Sequence, residues 1–347
     1  MLQEKVEPVW LAAFEALLRR CAVQPGDTVA VLAESQSRPI LIELAQLAAA
    51  RAGARHFTLT LPSPSTPAVP PIRSTGACHA LQNVAPVVSA LAGSTLVVDC
   101  TVEGLMHAPE LPAILKGGAR VVYVSNEHPE ALARLAPTED GSLELRVKDH
   151  VKRLRSARRM RVTSPAGTDL TVLLEGAVVG GNWGYTTRPG TMTHWPGGLA
   201  LAFPAAGAVN GRLVLAEGDV NLTFKRYLER PVTLTVESDF ITRIEGQGVD
   251  ADLMRSYIAA WGDREAYAVS HVGYGLNEQA RWDSMALYDK RDFNGTELRA
   301  FAGNFLYSTG ANEVARRHTL GHFDLPLRHC TVTLDGVKVV EDGKLVA

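Results

Sequence analysis

Apolar positions in the first 150 residues fall into two alternating patterns. Residues 8–23 (PVWLAAFEALLRRCAV) place apolar side chains every three to four positions, which is one face of a helix, with Pro8 near its start. A Gln24-Pro25-Gly26-Asp27 turn leads to 28–32 (TVAVL), an unbroken apolar run that reads as a buried strand. The pair recurs. A helix is expected over 39–53, stopped by Gly53, then a strand over 54–61. A helix over 79–92 precedes a strand over 94–100, and a short helix over 109–116 precedes a strand over 119–125. Strands apolar on both faces, alternating with helices, predict a parallel sheet covered on both sides. Residues 62–73, rich in proline and serine, are expected to form a loop.

The texture changes after a basic helical stretch at 149–159 (DHVKRLRSARR). Residues 160–175 read as a hairpin turning at Pro165-Ala166-Gly167. Short strands follow at 212–216, 221–225, 231–237 and 241–246, then a helix over about 250–261, then strands near 267–272, 302–308 and 328–340. This predicts an α/β chain in two parts. A parallel α/β domain spans 1–155, and a mixed or antiparallel α+β domain, the catalytic one, spans 156–347. Residues 180–204, rich in glycine and proline, carry Trp183, Tyr185, Arg188, His194 and Trp195. They are expected to form an ordered, pocket-lining loop.

Composition narrows the function. The chain has 347 residues, is 46% hydrophobic and carries a formal net charge of −2, so neither a nucleic-acid nor a membrane partner is implied. The basic stretch lacks interleaved aromatics and reads as a solvated face. Four scattered cysteines suggest reduced thiols, and neither a signal-peptide pattern nor an apolar run of 18 residues is present. A cytoplasmic enzyme is the expectation. The turn after the first strand is AESQSRP, without the glycine spacing of a dinucleotide or triphosphate loop, which argues against an NAD or ATP enzyme.

The chemistry concentrates in 318–329 (HTLGHFDLPLRH). In a strand, His322 and Asp324 project to one face, roughly 6.6 Å apart at the backbone. An imidazole and a carboxylate are two members of the two-histidine, one-carboxylate set that holds non-haem Fe(II) with open positions. His271, in the strand-like AVSHVGYG, is the candidate third ligand. Two other readings stay open: ordinary polar residues on a sheet, or a helical zinc pair at His318 and His322, which Gly321 disfavours.

The segments PGTMTHWPGGL and VGYGLN, and HFDL followed by a Leu334-Asp335-Gly336 turn, resemble the aminopeptidase T-like fold family. Leu199, His271 and Leu306 stand where that resemblance leads one to expect two-metal ligands, and without bridging carboxylates a mononuclear site is implied. That exchange resembles the 2,5-dihydroxypyridine 5,6-dioxygenase branch of the fold, and the likeness extends over nearly the whole chain. The resemblance implies an Fe(II) cofactor on His271, His322 and Asp324. It implies 2,5-dihydroxypyridine and O2 as substrates, N-formylmaleamate as product in nicotinate or nicotine breakdown, and a homo-oligomer for which a hexamer is the suggested size. A base of near-neutral pKa is needed to deprotonate the substrate hydroxyl. His107, following the third strand, is the candidate base, and His194 a hydrogen-bond partner for substrate or oxygen. Ser308 and Arg188 are weaker candidates for substrate contact, and Asn312 and Glu313 for orienting ligands. The alternatives are a metallo-aminopeptidase drawing on Glu175 or Glu278, and a non-catalytic small-molecule binder.

Overall fold

The computed structural model describes residues 4–63, 78–290 and 293–346. The first half forms α1 (Pro8–Arg20), β1 (Thr28–Glu34), α2 (Pro39–Arg51), β2 (Arg55–Leu61), α3 (Ala85–Ala92), β3 (Leu96–Asp99), α4 (Leu111–Lys116), β4 (Arg120–Val124), α5 (Pro129–Arg134) and α6 (Ser142–Ser156). Alternate residues of the apolar strands supply two cores. Val29 and Val31 of β1 pack with Phe14 and Leu17 of α1 and Leu44 of α2, while Ala30 and Leu32 pack with Leu91 of α3 and Ile114 of α4. Period-two geometry on a sheet covered by helices on both sides accounts for the lack of alternation in the sequence.

The second half forms β5 (Arg159–Thr163), β6 (Asp169–Leu173), β7 (Val178–Asn182), β8 (Met192–Trp195), β9 (Leu199–Phe203), β10 (Val209–Leu215), β11 (Val220–Asn221), β12 (Arg226–Tyr227), β13 (Val232–Glu237) and β14 (Phe240–Gly246). It continues with α7 (Val249–Ala260), β15 (Val269–Gly275), α8 (Ser284–Leu287), α9 (Thr296–Ala300), β16 (Phe305–Thr309), β17 (Phe323–Leu327), β18 (Thr331–Leu334), β19 (Val337–Glu341) and β20 (Lys344–Leu345). An eight-stranded sheet runs β14-β13-β10-β6-β5-β18-β19-β20, and a five-stranded antiparallel sheet runs β17-β16-β15-β9-β7. The inner faces of both sheets, with α6 and α7, share one apolar core. The other face of the five-stranded sheet is free to carry polar groups.

The expected long loop at 180–204 is instead broken up by three short strands. β7 and β9 pair in the five-stranded sheet, and β8 crosses back to join the parallel sheet, with order β2-β1-β3-β4-β8. Its register sets His194 beside Tyr123. The Pro196-Gly197-Gly198 turn then carries the chain from one sheet to the other. A Cβ at Gly197 would stand 2.1 Å from the Trp183 carbonyl carbon, so the crossing requires glycine there. The helix expected from 79 begins only at Ala85: Asn83 has φ 63, and Pro86 occupies the first turn, where it removes no hydrogen bond. The basic helix begins earlier than expected, at Ser142. Residues 328–340 divide into β18 and β19 around Asp335 (φ 48) and Gly336 (φ 89). Most of the loop expected at 62–73 lies outside the described residues.

Candidate active site

Strand register builds the floor of the site. On β15, β16 and β17, His271 is paired with Ser308 and Ser308 with Asp324, so the three stand in one row across the sheet. Gly273, two residues along from His271, leaves that face without a side chain. Leu201 and Leu306 pair with it from the flanking strands. His322 precedes β17 and shares the parity of Asp324. Its Nε2 lies 3.1 Å from Asp324 Oδ2, and His271 Nε2 lies 3.8 Å from Oδ1. Ser308 Oγ donates to Oδ1, and Arg299 Nε, on α9, donates to Oδ2 at 2.6 Å.

This row opens into a cavity of about 350 Å³. The opposite wall comes from the carboxyl ends of β3, β4 and β8, the position at which open parallel sheets bind ligands. The loop after β3 brings His107, whose ring centroid is 6.3 Å from that of His322. β8 brings His194, whose Nδ1 is 2.8 Å from Asn182 Nδ2 and 3.2 Å from the Pro196 carbonyl. Leu201, Phe203, Phe293 and Leu306 supply apolar lining.

Burial sets the charge states. It lowers His107 to about 4, helped by the neighbouring His322, and lowers His194 to about 4 and His271 to about 3. These imidazoles are neutral at pH 7. Burial alone would raise Asp324, but Arg299, His322 and His271 outweigh it and hold the carboxylate well below its usual range.

All five residues expected at the site therefore line one cavity. Ser308 contacts Asp324. Arg188 is exposed and outside the cavity, and the Asn312 side chain is used on Pro204 O and Ala315 N. His318 and His329 are exposed. Sequence reading missed Arg299 on Asp324, and Tyr123, Asn126 and Asn294 in the cavity wall. The loop following a strand's carboxyl end was the one signal available for Asn126.

A metal would find a suitable donor set: two imidazoles, that of His271 neutral at pH 7, and one ionised carboxylate. Two ligand atoms each about 2.1 Å from one ion stand at most about 4.2 Å apart, and the separations of 3.1 and 3.8 Å fall within that span. As the side chains stand among the described residues, no group of three or more His, Cys, Asp or Glu is placed to hold a metal ion, so His271, His322 and Asp324 would have to adjust to take one. Arg299 and Ser308 hydrogen-bond the same Asp324 oxygens that face His322 and His271, and so fix how the carboxylate is turned towards them. Glu103 and Asp324 are the carboxylates among the described cavity-lining residues. Glu175 is exposed and Glu278 pairs with Arg146 outside the cavity, so neither supplies the bridging carboxylate a two-metal site needs.

The chain matches the family model described as 2,5-dihydroxypyridine 5,6-dioxygenase over residues 9–347. It is 38% identical over 338 residues to the 2,5-dihydroxypyridine 5,6-dioxygenase of Pseudomonas putida KT2440, covering 96% of this chain and 95% of that protein. The solved structure of the 2,5-dihydroxypyridine dioxygenase from Pseudomonas putida KT2440 superposes with a TM-score of 0.92 at 37% identity, covering 99% of each chain. Wild-type AmpT from Thermus thermophilus superposes with a TM-score of 0.65 at 16% identity, covering 98% of this chain and 99% of that one, a likeness of fold.

Proposed function

The chain belongs to the 2,5-dihydroxypyridine 5,6-dioxygenase family, and from that premise we propose that it opens the ring of 2,5-dihydroxypyridine with O2, using Fe(II) held by His271, His322 and Asp324. The product is N-formylmaleamate, which retains both oxygen atoms of O2, and the setting is nicotinate or nicotine degradation. One observation carries the reading: the imidazoles of His271 and His322 converge on the two oxygens of a single ionised carboxylate at the floor of a cavity that also holds His107 and His194.

Ferrous iron, when bound, supplies open coordination positions and a path for electrons from an electron-rich ring to O2. The protein's own groups do the rest. An imidazole nitrogen of His107 is neutral at pH 7 and able to accept the proton of the substrate hydroxyl. Burial holds it at about 4, below the near-neutral value expected of that base, so it is a weaker base than the one the sequence leads one to expect. His194, held beside Asn182 and Pro196 O, offers a hydrogen bond to substrate or oxygen. Phe203, Leu201, Phe293 and Leu306 take the faces of a planar ring and exclude water. Arg299 keeps Asp324 ionised and oriented.

The test is to load anaerobically purified protein with Fe(II), add 2,5-dihydroxypyridine and O2, and follow substrate absorbance with oxygen uptake. One-to-one loss of both, abolished in His271→Ala and Asp324→Ala, is expected. If neither signal moves while cobalt- or zinc-loaded protein releases amino acids from peptides, the dioxygenase reading is overturned. The proposed setting is the cytoplasm, which four free, buried cysteines support. No helix among the described residues is long and apolar enough to cross a membrane. The proposed state is a homo-oligomer, which light scattering of the purified protein measures.

A further inference from the structure

Just beyond β4, Glu127 is 1% exposed and makes no contact with the cavity's histidines. Its Oε1 accepts the backbone N–H groups of Gly295 and Thr296, both at 2.8 Å, and its Oε2 accepts that of Asn294 at 3.0 Å. Ser125 Oγ and Thr296 Oγ1, 2.8 Å apart, tie the same two segments together. These bonds pin the start of α9 to the parallel sheet.

One turn further along α9 stands Arg299. Its Nε donates to Asp324 Oδ2 at 2.6 Å, while its Nη1 lies 3.3 Å from Asn294 O and 3.4 Å from Asn294 Oδ1. Asn294 Nδ2 in turn reaches Tyr123 Oη, on β4, at 3.3 Å. The segment that Glu127 grips is thus the segment against which the Arg299 guanidinium is braced. Arg134, on α5, also secures the first turn of α9 by a two-pronged pair with Glu297 at 2.7 and 2.9 Å. A second buried carboxylate beside Glu297 is costly if its purpose is only to hold the helix in place. What it adds is a hold on Asn294 and Gly295, just before the helix, and so on the groups of Asn294 against which the arginine is braced.

We propose that Glu127 is a positioning residue. From the parallel sheet it fixes the start of α9, so that Arg299 holds Asp324 in the orientation in which that carboxylate meets the metal. The inference rests on the reading of His271, His322 and Asp324 as the ligand set. A carboxylate that is oriented by a partner binds metal more tightly than one free to turn, and loss of such a partner weakens binding or activity by about 10-fold to 100-fold.

The experiment measures Co(II) affinity by anaerobic competition, and the visible spectrum of the bound ion, in wild type, Glu127→Gln, Arg299→Gln and the double variant. Glu127→Gln is expected to keep the wild-type circular dichroism, raise the Co(II) dissociation constant about tenfold or more and shift the spectrum. In the Arg299→Gln background the same change is expected to add little, because its route is already broken. Should Glu127→Gln not fold, Glu127→Asp retains the charge one methylene short of its partners, and a smaller change of the same kind is expected. Unchanged affinity and spectrum in a folded Glu127 variant, with wild type binding Co(II), overturns the inference and leaves the ligand assignment standing. So does a fully multiplicative effect of the two substitutions. A wild type that binds no Co(II) overturns the ligand assignment itself, and this inference with it.

Discussion

His150, on α6, is 5% exposed, and its Nδ1 lies 3.3 Å from Tyr274 Oη. Burial, then the charge of Arg153, lowers it to about 4. Its folded-state value is therefore below the unfolded value of about 6.5. Above that the imidazole is neutral in both states and adds no pH dependence. As pH falls from 6.5 towards 4, the unfolded chain takes up a proton that the folded chain refuses, so stability declines. The expected result is an unfolding free energy, from urea titration, that falls across this window by up to about 3 kcal/mol more in wild type than in His150→Gln. Parallel curves for the two proteins would show that His150 does not contribute. Other residues differ in how far the sequence exposes them. His322 and Asp324 were legible because strand parity alone puts residues two apart on one face. His271 needed the family likeness as well. Arg299 and Glu127 were not legible, because their roles depend on which strands pair and on how a helix start docks across two sheets, and no local spacing encodes that.

Among the elements, those with long uninterrupted patterns were readable: α1, α2, β1 and β2 fall within a few residues of the ranges their periodicity predicts. β7, β8 and β9 were not, and the reason is local. They are four or five residues long and are separated by runs such as Arg188-Pro189-Gly190 and Pro196-Gly197-Gly198, which carry the composition of a loop. The glycines mark a crossing instead. At Gly197 an added Cβ would lie 2.1 Å from Trp183 C and 2.2 Å from Gly184 N, and neither backbone can move without shifting β7 or β8. Gly197→Ala is therefore expected to cost about 3 kcal/mol or more. The cost should also reach the site, because His194 sits two residues before the turn it disturbs. The measurements are the thermal midpoint and the one-dimensional proton spectrum of His194. A variant as stable as wild type would show that the crossing has more room than the structure gives it.

At the level of the whole molecule, that crossing makes the parallel sheet dependent on residues far along the chain. β8 brings Trp195 into the parallel-sheet core, where its Nε1 donates to Leu135 O at 2.9 Å. The return path is charged and buried: Glu127 grips the start of α9, and Arg134 pairs with Glu297, which is 1% exposed. A sheet that lacks its edge strand and a carboxylate that lacks its cation are both expensive, so neither part holds its native form without the other. Unfolding is therefore expected as one cooperative event, with β3 and β16 amides converging on the same opening free energy in hydrogen exchange as urea rises. Arg134→Ala leaves Glu297 buried without its cation and is expected to lower both values together by roughly 3 kcal/mol. Loss confined to β16, with β3 unchanged, would mean that the parallel sheet stands alone and that the cavity between the sheets can open without unfolding either of them.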